Sequence, residues 1–230
     1  MIASRHTVLD SDLSAAILRW PTERARAWTR RFLEDAVQNS NVRAVVAVGS
    51  AVRPGVPSLD LDLVVICDDT SSFRAKPPME VDLRPYQSDR VPELLAGGHD
   101  LLGWAVRYGK AVFDRSGFWA GTQGEWSGKL VLPSAQVARE RASAVRARMR
   151  EMRDLGDMDA AGELAVSFLT HLARAGLIDR GVYPASRPEL PGQLREAGDP
   201  ALAAALERAL ASGREAATDA ARAYAESLQE

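Results

Sequence analysis

The sequence predicts an α+β protein: an N-terminal mixed β-sheet with flanking helices, followed by an all-helical C-terminal bundle. Three observations carry this. β-Branched apolar runs are confined to the first half, helical spacing holds from residue 134 onward, and a stretch rich in Gly, Ser and Trp separates the two. At 230 residues with 46% hydrophobic content, the chain is long enough to bury one large domain or two small ones.

Taken in order, Ala25, Trp28, Phe32, Leu33, Ala36 and Val37 recur at helical spacing, which predicts an amphipathic helix from Thr22 to about Asn39 with Pro21 and Thr22 as starters. A β-branched run from Val42 to Val48 predicts a buried strand, closed by the pair Gly49-Ser50. Leu59 to Ile66 predicts a second strand and Met79 to Arg84 a third. Ser88 to Ala96 and Leu101 to Tyr108 read as helices separated by Gly97-Gly98, and Ala111 to Phe113 as a short edge strand. The domain boundary is expected in the stretch from Gly117 to Pro133. That divides the chain into residues 1–117, a linker at 118–133, and a helical domain at 134–230 for substrate or partner binding. Within the latter, breaks are expected at Gly156, from Gly176 to Pro188, at Gly198-Asp199-Pro200 and at Gly213. The alanine bias of residues 201–223 reflects helix propensity rather than a site.

A formal net charge of -2 argues against a general nucleic-acid coat, which needs a basic surplus. A single cysteine, Cys67, excludes an internal disulfide framework and fits a reducing compartment as a strand-end packing residue. Neither an apolar leader core after Met1 nor a membrane-length apolar run is present, so the expectation is a cytoplasmic protein without a membrane partner.

Two carboxylates stand in an apolar strand, in Leu59-Asp60-Leu61-Asp62-Leu63. Strand alternation predicts that Asp60 and Asp62 share one face and the leucines the other. Burying like charges together costs several kcal/mol or more unless a cation neutralises them. Hard oxygen ligands suit Mg²⁺, which completes its shell with waters and substrate phosphates. Gly49 allows a sharp turn and close approach of a phosphate to the backbone, and Ser50 adds a hydroxyl and an N–H ten residues before Asp60. A third carboxylate, Asp82 in Val81-Asp82-Leu83, reaches the same place if three strands lie side by side. Glu80 shares its predicted face, and the closer apolar flanks of Asp82 favour Asp82 as the ligand.

Gly49-Ser50, Asp60-Leu61-Asp62 and a following strand Asp82 together resemble the polymerase-beta-type nucleotidyltransferase superfamily over roughly residues 20 to 115. The small members with a helical domain or partner, the aminoglycoside and lincosamide nucleotidyltransferases and the minimal nucleotidyltransferases of toxin–antitoxin pairs, are similar in layout. The resemblance implies that Asp60, Asp62 and Asp82 are catalytic and hold two Mg²⁺ ions. It further implies that Asp82 helps to activate an acceptor hydroxyl, and that Gly49, Ser50 and Arg53 bind the triphosphate of ATP or another nucleoside triphosphate. The implied activity is transfer of a nucleoside monophosphate, AMP from ATP, to a hydroxyl of a small-molecule acceptor with release of pyrophosphate. An antitoxin-like enzyme that modifies or masks a protein or tRNA partner is an alternative, as is a nucleotide-binding pseudoenzyme. By analogy with antibiotic-modifying relatives, Glu163 is a candidate general base from the helical domain. The ribonuclease pattern of the helical toxins, an arginine followed four to six residues later by histidine, is missing there.

Six arginines between Arg139 and Arg153 could meet phosphates or RNA, although a solvated helix face is the expected reading. Trp104, Trp119 and Trp126 flank the expected boundary as packing residues.

Overall fold

The β-branched run Val42–Val48 forms β1, the strand on which the rest of the sheet is built; all but one of its residues are buried. A computed structural model describes residues 16–54, 60–211 and 214–227. Met1 to His6, Leu59 and Gly213, each part of an expectation above, lie outside the described residues. The chain is α+β and divides into two compact units, one ending at Val131 and the other starting at Leu132.

In the first unit, α1 (Glu23–Gln38) precedes β1 and is capped by Thr22, whose hydroxyl accepts from the Ala25 N–H at 3.1 Å. It buries Ala25, Phe32, Leu33 and Ala36 of the predicted stripe together with Thr29, while Trp28 and Val37 are partly buried. After β1 come β2 (Leu61–Cys67), β3 (Val81–Gln87), the short α2 (Val91–Ala96), α3 (Asp100–Tyr108), β4 (Lys110–Asp114) and α4 (Phe118–Trp126). The sheet order is β3-β2-β1-β4, with β1 antiparallel to β2 and β4, and β2 parallel to β3. Leu61, Leu63, Val64, Val65 and Ile66 are fully buried, as an inner strand covered on both faces requires. β4 stands at the edge as its short run predicts.

Two expectations change here. The second strand begins at Leu61 rather than Leu59, so Asp60 precedes the ladder in a bend, exposed, and is not a strand residue alternating with Asp62. Its first pairing is Leu61 with Val81, whose neighbour Glu80 accepts from the Leu61 N–H at 2.8 Å. Phe118–Trp126, read as part of a linker, is helical; Trp119 is wholly buried, and Asp114 accepts from the N–H groups of Trp119 and Ala120 at 2.9 and 3.0 Å. Burial of one large aromatic and a side-chain cap outweigh the Gly-rich composition.

Arg115 ties β4 to the start of the sheet. Its guanidinium donates to the carbonyls of Ala36, Val37, Asn39 and Val42 at 2.9–3.1 Å, of which Ala36 and Val37 are acceptors that the end of α1 leaves without helical partners.

Among its described residues the second unit has helices and no strands: α5 (Ala135–Asp154), α6 (Met158–Asp179), α7 (Leu190–Glu196), α8 (Pro200–Ala211) and α9 (Arg214–Ser227). Ser134 caps α5 and Asp157 caps α6 through the N–H groups of Val137 and Ala160. The chain breaks at Gly156 as expected, but α6 runs through Gly176 to Asp179. Burial of Ala173, Ala175 and Leu177 there outweighs the helix cost of one glycine, about 1 kcal/mol. Phe168, Leu169, Leu177, Leu190, Leu194 and Leu206 form the centre of the core, filled in by alanines from α5, α8 and α9. Of the arginines on α5, Arg139 pairs with Asp179, Arg153 with Asp154, and Arg146 lies over the Phe168 ring.

Replacing Arg115 with methionine should lower stability by about 2–3 kcal/mol, because part-buried carbonyls lose a charged donor. The urea midpoint measures this, and a variant within 0.5 kcal/mol of wild type, about the size of a neutral surface substitution, would remove Arg115 as a structural tie.

Candidate functional site

The register of the sheet brings the candidate residues to one end. Val48, the last residue of β1, is paired with Asp62, and Asp62 is paired with Asp82 on the other side. Directly opposed residues share a face, so Val48, Asp62 and Asp82 lie in a row across three strands. Two residues further along β2 and β3 the same face carries Val64 and Arg84.

Gly49 turns the chain out of β1 with φ +75° and ψ -157°, a conformation open to glycine and strained for other residues. An added Cβ would stand 2.5 Å from Oδ2 of Asp62, so the missing side chain makes room for that carboxylate. Ser50 then opens a single 3₁₀ turn, Ser50–Val52, closed by the Arg53 N–H donating to the Ser50 carbonyl at 3.1 Å. Ala51 and Val52 are buried beneath it, which anchors the turn. The Arg53 guanidinium lies 4.8 Å from the centre of the Tyr108 ring at the end of α3. Arg107 also reaches Tyr108, donating from Nε to its hydroxyl at 3.0 Å, and the Trp104 ring lies 5.2 Å away. Lys110, the first residue of β4, is paired with Ala47 and stands at the same end of the sheet.

Asp62 is partly buried in β2, and its carboxyl is perturbed. Burial first, then the charge of Asp60, then that of Asp82, push its carboxyl up from 3.8 to about 6, while Arg84 pulls the other way. Asp60 is close enough to contribute although it lies outside the strand. Asp82 is half-buried on β3, and its Oδ2 accepts from Arg84 Nε at 2.9 Å and Nη2 at 2.6 Å. Among the described residues, no group of three His, Cys, Asp or Glu side chains closes into a metal-holding arrangement. The three aspartates are thus gathered electrostatically without forming a finished cage, and an arginine holds one of them. The side-chain Oε2 of Glu80, the alternative to Asp82, is buried and accepts no hydrogen bond among the described residues; Glu80 itself precedes β3. Glu163 is exposed on α6 of the second unit.

Sequence reasoning did not single out Arg84 or Tyr108. The signal for Arg84 was present, since residues two apart in a strand share a face and Asp82-Leu83-Arg84 has that spacing. Tyr108 had none, because its place beside Arg53 depends on how α3 lies on β1.

No family model matches the sequence, and no curated protein is significantly similar to it. Among solved structures the chain is similar to a nucleotidyltransferase-like protein from Exiguobacterium sibiricum, with 18% identity over 87% of this chain and 74% of that one and a TM-score of 0.41. A likeness of that degree carries no functional argument.

Two outcomes follow from the geometry. Asp62 has a folded-state value above its unfolded one, so the native state takes up its proton first. The contribution is full below about 4 and is lost as pH rises through about 6. In metal-free buffer Asp62→Asn should flatten that loss and stabilise the protein at neutral pH by up to about 3 kcal/mol, read from urea midpoints between pH 4 and 8. Gly49→Ala should lose about 1–3 kcal/mol through backbone strain alone, more with the displaced carboxylate. A thermal midpoint equal to wild type would show that the turn relaxes freely.

Proposed function

We propose that this chain is a nucleotidyltransferase that moves a nucleoside monophosphate, AMP from ATP, onto a hydroxyl of a small-molecule acceptor and releases pyrophosphate. One observation supports this above the others: a row of carboxylates at one end of the sheet, Asp62 and Asp82 with Asp60 beside them, set against the glycine turn Gly49-Ser50. Burial, with the charges of Asp60 and Asp82 added to it, raises Asp62 to about 6, an arrangement that fits a cation, and the side chain absent at Gly49 leaves a cradle beside the same carboxylate. The donor set suits Mg²⁺, with Asp60, Asp62 and Asp82 as the residues that would hold two ions. Bound there, Mg²⁺ would neutralise charge on the entering and leaving oxygens of an in-line phosphoryl transfer.

The chain's own part in the reaction is positioning. Gly49 and Ser50 let the triphosphate approach the backbone, and Arg53, steadied over Tyr108, supplies positive charge at the same end of the sheet. Asp82 offers an oxygen for the proton of the attacking hydroxyl once Arg84 gives way. A second reading, a nucleotide-binding pseudoenzyme, draws support from the Arg84 contact with Asp82. No helix among the described residues is long and apolar enough to cross a membrane.

Pyrophosphate release with Mg²⁺ and each of the four nucleoside triphosphates, against pooled aminoglycosides, lincosamides and a cell extract, decides between the readings. Wild type should release pyrophosphate in one acceptor pool, and Asp62→Asn should lower the rate at least about 100-fold while remaining folded. Nucleotide-dependent stabilisation without release would favour the pseudoenzyme. No nucleotide-dependent stabilisation at all would sink the site.

A further inference from the structure

Arg84 donates both Nε and Nη2 to a single oxygen of Asp82, Oδ2, rather than forking across the two carboxylate oxygens. The two residues lie two apart on the edge strand β3 and point to the face that carries Asp62. Their side chains are 60% and 45% exposed, so water competes for both partners and the pair holds weakly. The guanidinium therefore occupies an oxygen of a carboxylate that would help to hold an ion, yet it is held loosely enough to leave. No group of three His, Cys, Asp or Glu side chains closes into a metal-holding arrangement among the described residues, and Asp82 is engaged by Arg84.

We propose that Arg84 is a resident cation of the site, which a divalent ion must displace from Asp82, so that ion binding and release of Arg84 are one exchange. The inference rests on the reading of the three aspartates as a cation site. Arg84 acts through Asp82 and is a positioning residue. An arginine suits this role because it cannot lose its charge, so the placeholder stays cationic at every working pH. It keeps one oxygen of the carboxylate engaged while the ion is away, and it reduces the like-charge crowding on Asp62 that burial alone would worsen.

The exchange predicts opposite consequences from those of a structural ion pair. Mn²⁺ binding to the metal-free protein, followed by water-proton relaxation and by the signal of free Mn²⁺, should tighten about 2- to 5-fold in Arg84→Gln, the strength of one exposed pair. Arg84→Lys should stay near wild type, because it restores a cation within reach. In an Asp82→Asn background, Arg84→Gln should change Mn²⁺ affinity little, since the exchange partner is gone. Circular dichroism checks that the exposed substitutions leave the fold intact. Unchanged or weaker Mn²⁺ binding in Arg84→Gln overturns the exchange while leaving the cation site standing. Tightening that persists undiminished in Asp82→Asn also overturns it, by showing a long-range charge effect. Absence of Mn²⁺ binding in every variant would instead remove the cation site, and the exchange with it.

Discussion

A side chain at position 49 would stand 2.5 Å from an oxygen of Asp62, so the chain can leave β1 in this manner only as glycine. That close approach sets the rest. It turns Ser50 and Arg53 toward the same end of the sheet as the carboxylates, and it presses Asp62 into a partly dry place where its charge is costly. The ladder supplies the remaining constraint, because pairing of Val48 with Asp62 and of Asp62 with Asp82 leaves a row across three strands with no freedom of register. A one-residue slip of β2 would send Asp62 to the opposite face and Leu61 or Leu63 into the site.

The electrostatics of that row run against stability. Desolvation and two neighbouring aspartates raise Asp62, while Arg84 offsets them in part. Proteins keep such arrangements where function needs them and recover the cost elsewhere. Here the recovery is visible in the same unit: six fully buried residues of β2, the wholly buried Trp119, and Arg115 closing the carbonyls at the end of α1. A rigid sheet beneath a strained end holds charged side chains in place without asking them to contribute to folding.

The helical unit follows different physics. Its core alternates leucines with alanines, so helices built of strong helix formers can lie close together with few large side chains to fit. Caps at Ser134, Asp157 and Asp199 mark where α5, α6 and α8 start. The arginines of α5 are partly spent within the unit, on Asp179, on Asp154 and on the Phe168 ring, which weakens the case for an anionic partner along that helix.

Much of this was legible in the sequence, for a reason common to the elements that were read well. β1 and α1 carry a strong period and unambiguous ends, and local patterns of that kind survive any tertiary arrangement. Gly49, Asp62 and Asp82 stood out because a buried carboxylate or a glycine at a strand end is anomalous residue by residue. What the sequence could not decide is what depends on distant partners. The place of Asp60 outside the ladder follows from where β3 begins to pair with β2. The helix at Phe118–Trp126 follows from a pocket for Trp119 and a cap from Asp114. Continuation of α6 through Gly176 follows from burial of its flanks. The engagement of Asp82 by Arg84 and of Arg53 by Tyr108 likewise depends on geometry. Periodicity and chemical type are properties of the chain; the partner that satisfies a given charge is settled only when strands and helices are brought together, because such contacts fall off within a few ångströms.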